Sequence, residues 1–316
     1  MLIRSKAPLR LGLAGGGTDV SPYSDLFGGG ILNATINLYA YASIEPTENG
    51  TIVFETADGS HVKAFTAKAG VKPEGIFDIH AGIYNRIAKI CKEKELSFRL
   101  ITSVDAPQQS GLGHSSTLAV AILGAFVEWL KLPLGEYDIA QLAYEIERFD
   151  LGMAGGKQDQ YSATFGGINF MEFYKDEVIV NPLRIKESYL DELAHNLLLY
   201  YTDSSRLSSK IIQKQQQNVL NQDEKAIEAM HQLKKQAVMM KESLLRGNLD
   251  EIGEILDFGW NFKKQMAEGI TNPAIDQLYQ AALSSGATGG KISGAGGGGY
   301  MFFYCPGNTR YQVLES

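Results

Sequence analysis

Pro107-Gln108-Gln109-Ser110-Gly111-Leu112-Gly113-His114-Ser115-Ser116-Thr117 is the stretch from which the rest of the chain is read. Before it, Phe98 to Val104 is β-branched and apolar with partial alternation, the pattern of a strand, and Pro107 stops that strand. After it, Leu118 to Leu130 is apolar on almost every face and long enough for a buried helix. Gly111 and Gly113 lack Cβ, so the backbone can approach a ligand closely. Ser115, Ser116 and Thr117 fall where hydroxyls cap the free N–H groups of a helix start. Strand, glycine loop and buried helix predict a row of unpaired N–H donors at the positive end of a helix dipole, an anion site suited to nucleotide phosphates. A glycine turn with serine caps is the plainer alternative. The hydroxyl run, which could also reach Mg²⁺, and further glycine clusters at 12–17, 28–30, 152–156 and 286–299 weigh against it.

The 316 residues are 44% hydrophobic and 21% charged, enough for one large or two medium domains with full cores. A net charge of −7 and no basic tail argue against nonspecific nucleic-acid binding. The two cysteines, Cys91 and Cys305, lie far apart and provide neither a disulfide framework nor a cysteine zinc site. The five histidines are scattered and indicate no metal centre. No apolar run reaches the length of a membrane span, and Met1-Leu2-Ile3-Arg4 is not a signal peptide, so no membrane partner and a cytoplasmic location are expected.

Working outward, Leu2 to Leu13 reads as a strand entering a glycine turn, and Ile31 to Ile44 as another strand. Thr51 to Glu55 and His61 to Phe65 flank Asp58-Gly59, a hairpin signal. Ile79, Ile83, Ile87 and Ile90 have helical spacing. Ile139 to Phe149 reads as a helix, Gln158 onward as a short one, Ile168 to Phe173 and Leu197 to Tyr201 as strands. Ser208 to Glu268 is polar and helical, with breaks near 221–223 and 247–248. A helix from Pro273 to Ser284, a glycine loop over 286–299, a strand from Tyr300 to Cys305 and a helix beginning at Thr309 complete the chain. The texture changes at 175–190, which divides the chain into 1–180 and 181–316.

Familiar phosphate loops do not fit. Gly294-Ala295-Gly296-Gly297-Gly298-Gly299 satisfies G-x-G-x-x-G, but a strand follows where the dinucleotide fingerprint needs a helix. Gly290-Lys291 looks like the end of a P-loop, yet Ser285 and Ile292 occupy the positions that need Gly and Ser or Thr. No protein-kinase catalytic-loop motif is present.

Three motifs in order instead resemble the galactokinase, homoserine kinase, mevalonate kinase and phosphomevalonate kinase (GHMP) superfamily. The first is Ala7-Pro8-Leu9-Arg10 with Gly15-Gly16-Gly17-Thr18-Asp19, similar to A-P-G-R followed by G-E-H-T-D, with Gly16 and Gly17 replacing Glu and His. The second is Pro107 to Thr117, similar to P-x-x-x-G-L-G-S-S-A, with His114 at the first Ser. The third is Lys291-Ile292-Ser293-Gly294-Ala295-Gly296-Gly297-Gly298-Gly299. The triple glycine of the first motif and Gly156-Lys157-Gln158-Asp159-Gln160-Tyr161 look most like the bacterial sugar 1-kinase branch.

The resemblance implies an α+β, two-domain kinase, with an N-terminal ribosomal-protein-S5-like domain, a C-terminal ferredoxin-like domain and the site in the cleft between them. It implies ATP on Pro107, Ser110, Gly111, Leu112, Gly113, His114, Ser115 and Ser116. Asp159 is implied as the catalytic carboxylate that takes or orients the acceptor proton, against a plain helix cap. Arg10 is implied as the cation that pairs with it and stabilises the transferring phosphoryl, against an exposed charge on a strand; Lys6 is a weaker cation nearby. Ser115 and Glu147 are implied to hold Mg²⁺, with Ser116 and Glu145 as neighbouring alternatives and a solvated helix face as the plain reading of the glutamates. For His114 a loop hydrogen bond is expected.

Asp19 is implied to accept from sugar hydroxyls, with Gly16, Gly17 and Thr18 beside it and Gly296 and Gly297 completing the substrate set. A second phosphate on the sugar needs local cations, for which Lys157 and Arg206 are candidates, with Ser208, Ser209 and Lys210 from the 204–210 segment, itself also readable as a helix cap. The implied reaction is phosphorylation of the anomeric hydroxyl of a small sugar phosphate, D-glycero-D-manno-heptose 7-phosphate, or of fucose or another sugar in relatives. A homodimer is compatible with this. A non-catalytic sugar and ATP regulator of the same fold would have lost Arg10 and Asp159, and a decarboxylase of phosphorylated mevalonate suits Asp19 less well. The family pattern also continues past Ser316 into a further helix and strand, which the sequence in hand lacks; without them a sheet edge is expected to lie open.

Overall fold

A computed structural model describes residues 1–67, 70–92, 95–202 and 208–316. In chain order the elements are β1 (Ile3–Ala14), α1 (Tyr23–Phe27), β2 (Gly29–Pro46), β3 (Thr51–Thr56), β4 (Val62–Thr66), α2 (Asp78–Ile90), β5 (Phe98–Val104), α3 (His114–Leu130), α4 (Glu136–Glu145), α5 (Gln158–Phe165), β6 (Ile168–Phe173), β7 (Val178–Pro182), α6 (Glu187–Asn196), β8 (Leu197–Tyr201), α7 (Ser208–Leu220), α8 (Glu224–Arg246), α9 (Ile252–Met266), α10 (Pro273–Ser284), β9 (Gly289–Ile292), β10 (Tyr300–Tyr304) and α11 (Arg310–Glu315). The fold is α+β, as the resemblance implies.

A seven-stranded sheet runs β4-β3-β5-β2-β6-β7, with β1 paired to the other edge of β2. β2 is long enough to hold two partners on one side, β6 along its first half and β5 along its second. A smaller sheet, β8-β10-β9, belongs to the C-terminal part. The buried helix α3 lies on β1 and β2, and its side chains Leu118 to Phe126 share a core with Phe54, Phe98 and Leu100. From the C-terminal part, α8 also packs on β1 and β2, placing Ala237, Met240 and Leu244 against Leu9, Leu11 and Leu13.

The register of β1 on β2 shifts between Pro8 and Arg10. Ile3 and Ala7 belong to the α3 core, whereas Leu9, Leu11 and Leu13 belong to the α8 core. The strand therefore changes face across the irregularity. A bulge re-aims the side chain that follows it, and here that side chain is Arg10.

Local chemistry explains the helix ends. Asp223 caps α8 by accepting from the N–H groups of Lys225 and Ala226, and Gly247 ends it in left-handed conformation at φ +78°. Asn272 and Pro273 open α10. Two expectations need correction. The glycine loop over 286–299 contains a strand, β9, because Gly290 leaves room for β10: a Cβ there would meet Phe302 O at 2.6 Å. The helix expected over Ile139 to Phe149 starts at Glu136, and its last turn, Ile146–Asp150, widens into a π-type turn.

Candidate active site

The three motifs converge on one cavity of about 460 Å³. At its centre Arg10 Nε donates to Asp159 Oδ1 at 2.8 Å and Nη2 lies 2.6 Å from the same oxygen. Arg10 Nη1 donates to Gly111 O at 2.6 Å, and Ser293 Oγ donates to that carbonyl at 2.8 Å. One guanidinium thus joins residues from all three motifs to Asp159. Asp159 sits in the first turn of α5 without capping it; the cap position is Lys157, whose own side chain makes no capping bond. Arg10 is 3% exposed, so it is no surface charge.

The glycine loop of the second motif has the expected backbone. Gly111 takes φ +79°, and a Cβ on it would lie 2.3 Å from Ser293 O, so only glycine lets the second and third motifs touch. Gly113 is the left-handed residue before α3. Among the described residues, the N–H groups of Gly111, Gly113, His114, Ser115 and Ser116 have no acceptor in the protein. The serines and threonine do not cap the helix, however; they lie inside its first turn. Ser115 Oγ donates to Glu147 Oε1 at 3.0 Å, and Ser116 Oγ accepts from Gln160 Nε2 at 3.0 Å. Pro107 is exposed and only terminates β5, and the Leu112 side chain is fully buried, its carbonyl accepting from Arg10 N. Ser110 and Gln109 border the cavity.

The π-type turn carries Glu147 to the cavity at 1% exposure. Its other carboxylate oxygen accepts from Gln160 Nε2. All of its donors are neutral. Glu145 is instead tied to Arg86 at 2.9 Å on the far side. Among the described residues no group of three or more His, Cys, Asp or Glu gathers to hold a metal.

Asp19 is buried at 4% exposure and borders the cavity. Its Oδ2 accepts the N–H of Gln158, a free donor at the start of α5, at 3.0 Å. Burial, the main cause, and the Asp159 charge raise its pKa. Gly156 presses against it: an alanine Cβ would fall 1.9 Å from Asp19 Oδ2. Gly156→Ala is therefore expected to displace Asp19, raising the acceptor KM and costing about 1–3 kcal/mol of stability. Acceptor titration beside thermal melting checks this; an unaltered KM means Asp19 does not contact the acceptor.

Several expected substrate residues lie elsewhere. Lys157 points away from the cavity; its Nζ donates to the carbonyls of Tyr174 and Lys175 at 2.7 and 3.0 Å, because the β6–β7 turn leaves those acceptors beside it. Thr18 is wholly buried and braces the turn, bonding Gly15 O and Gly30. Gly296 and Gly297 pack on the 270 segment, Gly297 N donating to Ile270 O at 2.8 Å, while Gly294 and Ala295 border the cavity. Arg206 lies outside the described residues. Gly17, Ser208 and Ser209 do border the cavity. Gly16 packs behind it, its α-carbon free to approach two amines. Lys6 is exposed, over the Tyr39 ring at 4.5 Å. His114 is the first residue of α3, with no hydrogen bond among the described residues, and burial lowers its pKa.

Two features were not anticipated. Lys263 of α9 is 3% exposed and borders the cavity. Its signal was available: Leu256, Gly259, Trp260, Lys263 and Met266 are one buried stripe of α9, and a lysine in an apolar stripe has a reason to be there. Beside the loop lies a second cavity of about 320 Å³, bordered by Phe77, His80, Gln108, His114 and Leu118. Burial holds His80 neutral, with a pKa of about 3, and its Nε2 meets Thr102 Oγ1 at 2.9 Å. His114 borders both cavities.

Residues 68–167 match the GHMP kinases N terminal domain and residues 240–316 match GHMP kinases C terminal. The chain is 48% identical over 315 residues to D-glycero-alpha-D-manno-heptose 7-phosphate kinase of Campylobacter jejuni, covering 99% of this chain and 92% of that protein. It superposes on a D-glycero-D-manno-heptose 1-phosphate kinase from Bacteriodes thetaiotaomicron with a TM-score of 0.84 at 45% identity, covering 100% and 92% of the two chains. On a putative sugar kinase from Campylobacter jejuni the TM-score is 0.80 at 46% identity, covering 99% and 91%. With an arginine–carboxylate pair set against the glycine loop and both family domains matched, the chain belongs to the GHMP kinases, phosphotransferases that act on an alcohol group.

Proposed function

We propose that the protein transfers the γ-phosphoryl group of ATP to the anomeric hydroxyl of D-glycero-D-manno-heptose 7-phosphate, giving the 1,7-bisphosphate. The observation that carries this reading is the Arg10–Asp159 pair at the phosphate loop, with Asp19 buried in the same cavity. The relative at 48% identity supports the choice of sugar.

The free N–H groups of Gly111, Gly113, His114, Ser115 and Ser116 take the nucleotide phosphates. The second cavity, sharing His114 with the first and lined in part by Phe77 and neutral His80, takes the base. Ser115 and Glu147 hold Mg²⁺; a buried carboxylate met only by neutral donors suits a hard cation that needs few protein oxygens. When bound, Mg²⁺ neutralises charge on the phosphates. Asp159 accepts the proton of the anomeric hydroxyl or holds that hydroxyl in line, and Arg10 lies against the developing phosphoryl charge. Asp19 accepts from ring hydroxyls. Arg148 is assigned to the distal phosphate in place of Lys157: it borders the cavity, bonds only the carbonyls of Met153 and Gly156, and meets no carboxylate among the described residues.

A fucose or other unphosphorylated sugar is the second reading, favoured by the loss of Lys157 to backbone carbonyls. The test is ATP turnover against heptose 7-phosphate, unphosphorylated heptose, fucose, galactose and mevalonate. Heptose 7-phosphate is expected to exceed unphosphorylated heptose in kcat/KM by about 100-fold, the worth of a charge-assisted phosphate contact. Turnover of fucose alone keeps the kinase and removes the phosphate subsite. ATP binding without turnover of any acceptor points to a regulator.

A further inference from the structure

Lys263 and Asp19 are opposite charges, 3% and 4% exposed, on the wall of one cavity. The Asp19 charge favours the protonated form of Lys263. Yet among the described residues no ion pair within 4.0 Å joins Lys263 to any carboxylate. Among the described residues its one hydrogen bond is long, from Nζ to Gly16 O at 3.5 Å. An ammonium has three donors, and burying one so poorly satisfied is costly. Lys291 beside it is different: its Nζ donates to Gly12 O at 2.7 Å. Gly16 faces both amines: a Cβ on it would stand at contact distance, 3.6 Å from Lys263 Nζ and 3.7 Å from Lys291 Nζ. A side chain at that position would fill the space in front of both.

A carboxylate that only accepts and an ammonium that only donates, held apart in one cavity, are completed by a group that does both. A hydroxyl is such a group. We propose that Lys263 is an acceptor-binding residue, its ammonium donating to a hydroxyl oxygen of the polyol whose O–H groups donate to Asp19, so that the substrate bridges the two charges. This rests on the sugar-kinase reading and assigns its acceptor subsite to a residue of α9, on the C-terminal side of the cleft. The charged groups facing Lys263 are Asp19, Arg10 from β1 and Lys291 from β9, with Asp159 of α5 behind Arg10. Burial lowers the Lys263 pKa to about 8, with Asp19 opposing and Arg10 adding to the shift.

The experiment is Lys263→Met in the full chain with the best acceptor from the turnover panel. The acceptor KM is expected to rise about 10–100-fold, as for loss of a hydrogen bond to a charged group, with the ATP KM and kcat within about threefold. In the wild type, kcat/KM for the acceptor should fall as pH rises through about 8, where free Lys263 loses its proton; in the variant that fall should be absent. An unchanged acceptor KM with the alkaline fall intact overturns the proposal, and so does a lower kcat at unchanged KM. Should the variant not fold, calorimetry of the wild-type protein in two buffers near pH 8.5 decides: acceptor binding should take up protons, and no uptake overturns the proposal. A wild-type protein that phosphorylates no sugar sinks the kinase reading instead, so the two failures are distinct.

Discussion

Asp159→Asn is expected to lower kcat by about 10²–10⁴-fold, the range for removing a positioned proton acceptor, while ATP and acceptor still bind. The amide has the shape of the carboxylate and can still accept from Arg10 through Oδ1, so the Arg10–Gly111–Ser293 cluster has no reason to come apart. What disappears is the negative charge that takes or aligns the acceptor proton. The variant also leaves Arg10 buried beside a neutral group, and breaking such a pair is destabilising, so its melting temperature should fall and the assay belongs well below it. Steady-state kinetics with calorimetric binding of ATP measures both halves of the expectation. An activity within about tenfold of wild type would reduce Asp159 to the structural partner of Arg10.

Glu147→Gln is expected to give the opposite pairing of effects. Activity at millimolar Mg²⁺ should drop on the order of 10²-fold and recover in part at higher Mg²⁺, as for a weakened metal site, while thermal stability stays level or rises. The reason is the environment: a carboxylate at 1% exposure whose donors are the Ser115 hydroxyl and the Gln160 amide keeps an uncompensated charge out of water. Glutamine removes that charge and keeps the acceptor for Ser115. Gln160, whose own amide oxygen has no partner, can turn over to meet the new amide. Melting curves beside a Mg²⁺ titration separate the readings. Lost stability with normal Mg²⁺ dependence would mark Glu147 as part of the framework.

The sites that could be read from the sequence are those whose chemistry is local. Gly111 and Gly113, between a strand and an apolar helix, announce a backbone anion loop, and both adopt the left-handed conformation that this requires. Arg10 and Asp159 are found through motif spacing and meet at 2.6 Å. Residues whose role depends on distant partners could not be read this way. Lys157 lies beside Asp159 in sequence and looked available, but carbonyls 17 and 18 residues downstream take its amine. Lys263 follows the reverse course: one lysine among many in a polar helical stretch, brought to the cavity because its stripe of α9 is buried. Read locally, Ser115 and Ser116 resembled caps; only the family resemblance joined Ser115 to Glu147, and nothing in the sequence signalled that Gln160 would meet Ser116. β9 was hidden because Gly289 and Gly290 look like loop, and only the pairing with β10 makes them strand.

The hydrogen bonds of Arg10 reach across 101, 149 and 283 residues of sequence. Such contacts form late, because long loops must close before they are rewarded. During synthesis, β1, the phosphate loop and α5 are all made while Ser293 is still to come. A chain at that stage holds a glycine loop whose Gly111 carbonyl has no Ser293 to brace it. The full set of Arg10 contacts therefore needs a chain made at least through Ser293, and a shorter chain is expected to lack ATP turnover.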